Sequence, residues 1–160
     1  MTVLGPSTAE VWRALEKASF AVIGYVTPDG QPRSSGVVYA VAGRRLYVAV
    51  AENSWKARHI ELAGRVSVTV PVTRGGPLSL LFPIPPATVS FHGPATVSRP
   101  GALAGSPAAE ALGRLLPPER RADGRIVEIS PEGWFVTYGI GVPLQRMRVP
   151  ALARGRVPVG

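Results

Sequence analysis

The chain contains no cysteine. Disulfides, thiolate metal sites and cysteine nucleophiles are excluded, and so is a small scaffold held together by bridges. Histidine is almost as scarce: His59 and His92 are the only two, and neither stands at metal-ligand spacing from another donor. Each reads as an ordinary satisfied or exposed histidine. The carboxylates are not paired for acid–base work, so a hydrolase is disfavoured and no metal is expected. The Gly-x-Gly-x-x-Gly and Walker loops are absent, as is the Gly-x-Ser-x-Gly elbow. Any nucleotide-like cofactor must be held by another device. Long apolar runs are also missing: the most apolar stretch, Leu78 to Ile84, is far too short to span a bilayer. The first ten residues lack the basic and then apolar pattern of an export signal. A cytoplasmic protein with no membrane partner is the expectation.

Charged residues are few and lopsided, 18% of the chain with a net charge of +8. A cationic surface suits nucleic acid through counterion release, but the arginines are scattered. The one cluster, Arg146, Arg148, Arg154 and Arg156, is separated by aliphatic residues and prolines, with none of the aromatic platforms that single-strand binders use. Residues 146–160 therefore read as a solvated basic tail on a 7–145 core, with no nucleic-acid partner expected.

What the chain does have is 46% hydrophobic residues, 18 glycines and 17 prolines in 160 residues. That length suits one domain, and that composition suits many short elements joined by tight turns, a β-rich class. Ser7 and Glu10 form a capping-box pattern ahead of a helix over Thr8 to Lys17. Phe20 to Val26 and Arg33 to Val41 are strands joined at Pro28-Asp29-Gly30, and Leu46 to Val50 completes a meander. A short helix over Ser54 to Ala63 stops at Gly64. Strands follow at Arg65 to Val72, Ala87 to Ser98, with a bend at Gly93-Pro94, Ile126 to Ile129 and Trp134 to Tyr138. A helix is expected from Pro107 to Leu116. Residues 73–86, rich in Gly and Pro around Leu78-Ser79-Leu80-Leu81-Phe82, read as a lid or a dimer-contact loop.

The one arrangement with chemical promise is Asn53-Ser54-Trp55-Lys56, where a strand hands over to a helix. A helix N-terminus presents unbonded N–H groups and the positive end of its dipole, a natural seat for phosphate. Ser54 adds a hydroxyl, and Lys56 adds a compact cation in a chain with only one other lysine, Lys17. On these four residues alone, simple helix capping and a phosphate seat are equally good readings. Arg33, Ser34 and Ser35, at the start of the second strand, lie where their donors can converge on the same helix start.

The order Gly24 to Arg33, Gly43 to Val48, Ser54-Trp55-Lys56 and Arg65 to Val70 resembles the pyridoxamine 5′-phosphate oxidase-like family, the FMN-binding split barrels that include deazaflavin (F420) reductases. The similarity is continuous from about Leu15 to Val72, extends to Thr88 to Val97, and loosens over the last sixty residues. It implies a six-stranded antiparallel split β-barrel with a few short helices. It also implies a homodimer, with FMN, or alternatively F420, in a groove at the dimer interface. The phosphate is then held by Ser54, Lys56 and the Arg33 to Ser35 strand, and the isoalloxazine is met by Ala49 and Val50. Trp55 stands where FMN-binding members often carry a second basic residue; it suits either stacking on a flat ring or interface packing. No match is found for the residues that bind pyridoxal phosphate itself. The resemblance thus implies an FMN-dependent oxidoreductase acting on a small organic substrate. The alternatives are an F420-dependent reductase, with Arg58 and Arg74 meeting the longer anionic tail, and a non-catalytic flavin-binding dimer.

Overall fold

The first helix owes its start to Ser7. In the computed structural model, which describes residues 5–74, 76–117 and 124–160, the Ser7 hydroxyl accepts the Glu10 N–H at 3.2 Å, and the Glu10 carboxylate accepts the Ser7 N–H at 2.7 Å. This reciprocal box opens α1 (Thr8–Lys17), which buries Val11, Trp12 and Leu15 along one stripe. Eight strands follow: β1 (Phe20–Val26), β2 (Pro32–Ala42), β3 (Arg45–Val50), β4 (Arg65–Val72), β5 (Ala87–Ser98), β6 (Arg125–Ile129), β7 (Glu132–Tyr138) and β8 (Arg154–Pro158). Three further helices, α2 (Trp55–Ala63), α3 (Pro107–Leu115) and α4 (Pro150–Ala153), lie between them. The strand order is β4-β1-β2-β3-β6-β5, and β4 also pairs with β5, so six antiparallel strands close into a barrel. β7 and β8 extend the sheet from β5. The fold class read from the sequence is the one observed.

By contact density the described chain divides into two units interleaved in sequence. The central unit, residues 19–68 and 92–132, holds the meander. β1 pairs with β2 from Phe20 opposite Val38 to Val26 opposite Pro32, and β2 pairs with β3 from Tyr39 opposite Val48 to Ala42 opposite Arg45. The hairpin turn is tied by Thr27, whose hydroxyl donates to the Asp29 carboxylate and accepts the Gln31 N–H. The Thr27 hydrogen bond, followed by a backbone N–H, holds the Asp29 pKa below its ordinary value. Ile23, Leu46, Val48 and Val127 are fully buried; each contributes about 1.5–3 kcal/mol by leaving water. A second cluster joins Ala40, Tyr47, Ala108, Leu112 and Ile126, and this cluster seats α3 on β2 and β3. β5 runs through Gly93 because nothing larger fits there: an added Cβ would stand 1.9 Å from the Ser130 carbonyl oxygen. The Ser130 N–H donates to Pro94 O at the same crossing.

The terminal unit, residues 5–18, 69–91 and 133–160, packs Trp12 edge-on against Phe135 and Phe91 edge-on against the same ring. Residues 146–160 are not a solvated tail. They form a 3₁₀ turn, α4 and β8, and β8 pairs with β7 from Trp134 opposite Pro158 to Tyr138 opposite Arg154. The Trp12 indole N–H donates to Val159 O at 3.0 Å, which ties the C-terminal end to α1. The sequence pattern hid β8 because it is a short strand carrying two arginines and a proline, and its partner strand supplies the order that its own residues do not.

Candidate functional site

Ser54 precedes α2 with extended backbone angles, as an N-cap residue should, yet its hydroxyl accepts no hydrogen bond from the helix. The Ser54 N–H donates instead to Ala51 O, and Ser54 O accepts the Arg58 N–H. The first turn of α2 therefore keeps N–H groups with no intrahelical acceptor, beside an uncommitted hydroxyl. Lys56, in that first turn, is half-buried, and burial pushes its ammonium pKa below the ordinary lysine value. It has no carboxylate partner among the described residues. The other end of α2 is fixed by Gly64, in a left-handed conformation (φ 69°), whose N–H donates to Ile60 O and whose carbonyl accepts the Ala95 N–H. Ala57 and Ile60 bury the inner face of the helix.

The outer face of α2 carries an aromatic row. The Trp55 and His59 rings stand 6.0 Å apart between centroids, His59 and Tyr25 of β1 stand 6.0 Å apart, and the Arg58 guanidinium lies 5.7 Å from the Trp55 ring centroid. Trp55 is 70% exposed. A cavity of about 430 Å³ opens at this helix start, lined by Glu52, Asn53, Ser54, Trp55, Arg58, Glu61 and Arg125. Within it Arg125 is paired with Glu61 at 3.1 Å, whereas Arg58 has no carboxylate partner among the described residues. The cavity thus presents together an aromatic face, a cation and a helix start.

A second cavity of about 600 Å³ in the same unit is lined by Gly24, Tyr25, Val26, Pro32, Arg33, Ala63, Arg65, Val66, Ser67 and His92. Arg65 pairs with Glu132, and His92 Nδ1 lies 3.6 Å from the same carboxylate. The expected site residues thus fall into separate groups. Ser54 and Trp55 share the first cavity, and Arg33 lines the second. Ser34 is exposed opposite Gly24, on the face away from Arg33 and Ser35, because successive strand residues alternate sides. Ala49 packs against the cluster under α3, and Val50 is buried opposite Arg125; neither lines a cavity described here. Arg58 was expected only for the F420 alternative, and Glu52 and Arg125 were not anticipated as site residues. The spacing Trp55, Arg58, His59 on one helix face was readable in the sequence, but the approach of Arg125 from β6 was not, since it depends on the β3–β6 pairing.

Residues 7–138 match the pyridoxamine 5′-phosphate oxidase family. No curated protein matches the chain in sequence. Among solved structures, the chain is similar to a pyridoxamine 5′-phosphate oxidase-related, FMN-binding protein of Nostoc punctiforme (13% identity, 96% of this chain and 89% of that one, TM-score 0.61). It is also similar to an F420 reductase (21% identity, 77% and 93%, TM-score 0.56). A third likeness is to the heme storage protein HutZ of Vibrio cholerae (14% identity, 82% and 94%, TM-score 0.63). At these identities the structural likenesses concern the fold, and ligands differ among proteins that share it. The match over residues 7–138 covers most of the sequence and both cavities, and on it the chain belongs to the pyridoxamine 5′-phosphate oxidase family.

Proposed function

We propose that this protein is an FMN-dependent oxidoreductase acting on a small organic substrate in the cytoplasm. The observation that carries the reading is the start of α2: a serine hydroxyl that caps nothing, first-turn N–H groups without intrahelical acceptors and a partly desolvated lysine with no carboxylate partner among the described residues. These groups fit a phosphate monoester, which needs donors and a compact cation. Trp55, exposed beside them, fits a planar ring. The flavin supplies hydride transfer when bound. The chain's own part is to hold the phosphate at Ser54 and Lys56, orient the ring and keep water from it, and this accounts for the lack of an acid–base pair.

A homodimer is supported by the outer face of the β1–β2 hairpin, where Phe20, Val22, Val26 and Val38 are exposed on one side with Gly24 and Gly36 between them. The Phe20 ring lies over Gly36, where an added Cβ would come within 3.0 Å of it. Arg33 lines the cavity that opens beside this face, so a second copy covering the apolar side would also wall that cavity. The F420-dependent reading rests on Arg58 and Arg125, two guanidinium groups at the first cavity that suit a longer anionic tail. Arg74, expected to help, instead donates to the Gly139 carbonyl.

The absorption spectrum of the purified protein and fluorescence titrations with FMN and with F420 test the proposal. Saturable FMN binding that weakens by about tenfold to a hundredfold in Lys56→Ala is expected. A colourless protein that ignores added FMN overturns it, and tighter binding of F420 decides for the alternative. Bleaching of the bound flavin by a reduced nicotinamide or a candidate substrate then separates an enzyme from a non-catalytic flavin carrier.

A further inference from the structure

Within the terminal unit, the segment joining β4 to β5 has an unusual surface. Leu78 is 52% exposed, Leu80 88%, Leu81 76% and Phe82 61%, so four large apolar side chains project into solvent within five residues. Scattered apolar residues on a surface need no explanation, but a contiguous set marks a contact. The backbone of this tip is largely satisfied from within. A 3₁₀ turn spans Gly76–Leu80, and the N–H groups of Leu81 and Phe82 donate to Leu78 O. The Ile84 N–H donates to Phe82 O, and the Ser79 hydroxyl donates to Gly76 O. Pro77, Pro83, Pro85 and Pro86 have no N–H to satisfy. Such a tip can enter an apolar medium without stripping water from many unpaired backbone groups.

Charge decides among the partners. Residues 69–91 and 133–160 carry Arg74, Arg146, Arg148, Arg154 and Arg156 and not one Asp or Glu. Arg146 and Arg148 flank Met147 in the 3₁₀ turn Leu144–Arg148, and that turn shares a cavity of about 500 Å³ with Phe82, Pro83, Ile84 and Pro85. Neither arginine has a carboxylate partner among the described residues. A self-complementary contact of this patch with its copy would bring arginines against arginines. Nucleic acid offers no medium for three consecutive aliphatic and aromatic tips. An anionic bilayer surface satisfies both halves, with phosphates for the guanidinium groups and acyl chains for the leucines.

We propose that the tip Leu78–Phe82, flanked by Arg146 and Arg148, docks this protein on anionic phospholipid membranes as a peripheral protein. This concerns a surface separate from the flavin reading and stands or falls without it. No described helix is long and apolar enough to cross a membrane.

The test is co-flotation of the full chain with vesicles of phosphatidylcholine alone or mixed with phosphatidylglycerol. Binding to the anionic vesicles should exceed binding to the neutral ones by about tenfold at low salt and fall as salt is added. The double substitution Leu80→Ser with Leu81→Ser should weaken it by about tenfold or more through lost apolar insertion. Arg146→Ala with Arg148→Ala should remove the preference for anionic lipid. All four side chains are in exposed segments, and unchanged thermal unfolding and circular dichroism would confirm that the variants fold. The proposal is overturned if the protein ignores anionic vesicles, if the leucine variant binds them as the parent does, or if that variant instead dissociates a homodimer in sedimentation equilibrium with no vesicle binding to lose.

Discussion

At the start of α1 the Ser7 hydroxyl accepts the Glu10 N–H and the Glu10 carboxylate answers on the Ser7 N–H; at the start of α2 the Ser54 hydroxyl accepts nothing from its helix. Both serines have the extended backbone angles of an N-cap. They differ in what stands at the third helical position: Glu10 in α1 and Ala57 in α2. The first helix neutralises its own positive end, and the second leaves that end open with a lysine beside it. Ser106 at α3 also closes its cap, accepting the Ala109 N–H, although alanine stands at the third position there as in α2. A cap that closes on itself holds a helix, whereas a cap left open is available to a ligand.

The sharpest way to break this comparison is Lys56→Ala. A charge-assisted hydrogen bond contributes about 1.5–3 kcal/mol, so FMN affinity should fall by about tenfold to a hundredfold in fluorescence titration, with thermal unfolding nearly unchanged. A large loss of stability with affinity intact would place Lys56 with the structural cap instead. Next in size, Ser7→Ala should cost about 1 kcal/mol of stability, a fall in Tm of about 2–4 °C for a chain of this length, with no change in FMN affinity. Ser54→Ala should do the reverse, weakening FMN a few-fold, as a neutral hydrogen bond of about 0.5–1.5 kcal/mol allows, while leaving Tm in place.

Two pH experiments sharpen it further. The Lys56 pKa lies below the usual lysine value because burial disfavours its charge, so the ammonium is lost as pH rises through that lowered value. FMN binding should weaken on the alkaline side before an ordinary lysine titrates, and Lys56→Arg, which stays charged, should flatten that decline. Glu10 is held below its ordinary value chiefly by the Ser7 N–H and also by the Ser7 hydroxyl. Its contribution to stability is present above the usual carboxylate range and disappears as pH falls through the lowered pKa. The acid limb of a Tm profile should therefore be shallower in Glu10→Gln. This is the smallest effect expected, because the carboxylate is exposed.

Much of this was legible in the residues. The α1 helix, β1, β4 and β5 have the bounds expected from their patterns, since a capping box, strict alternation and turn residues are local signals. The start of α2 at Ser54 was legible for the same reason. The grouping of its residues was not: Arg33 and Ser34 are neighbours in sequence, yet strand alternation sends them to opposite faces, and Arg125 reaches the first cavity only because β6 pairs with β3.

Sequence by itself thus determined the β-rich class, the meander and the positions of α1, α2 and α3, because each depends on residues within a turn or two of one another. Only tertiary structure decided that β6 inserts between β3 and β5, that Arg154–Pro158 becomes a strand, and that Glu61 neutralises Arg125 while Arg58 is left beside Trp55. Those outcomes depend on long-range pairing, where the hydrogen-bonding partner of a short strand and the counter-charge of an arginine are set by what the closed sheet brings near them.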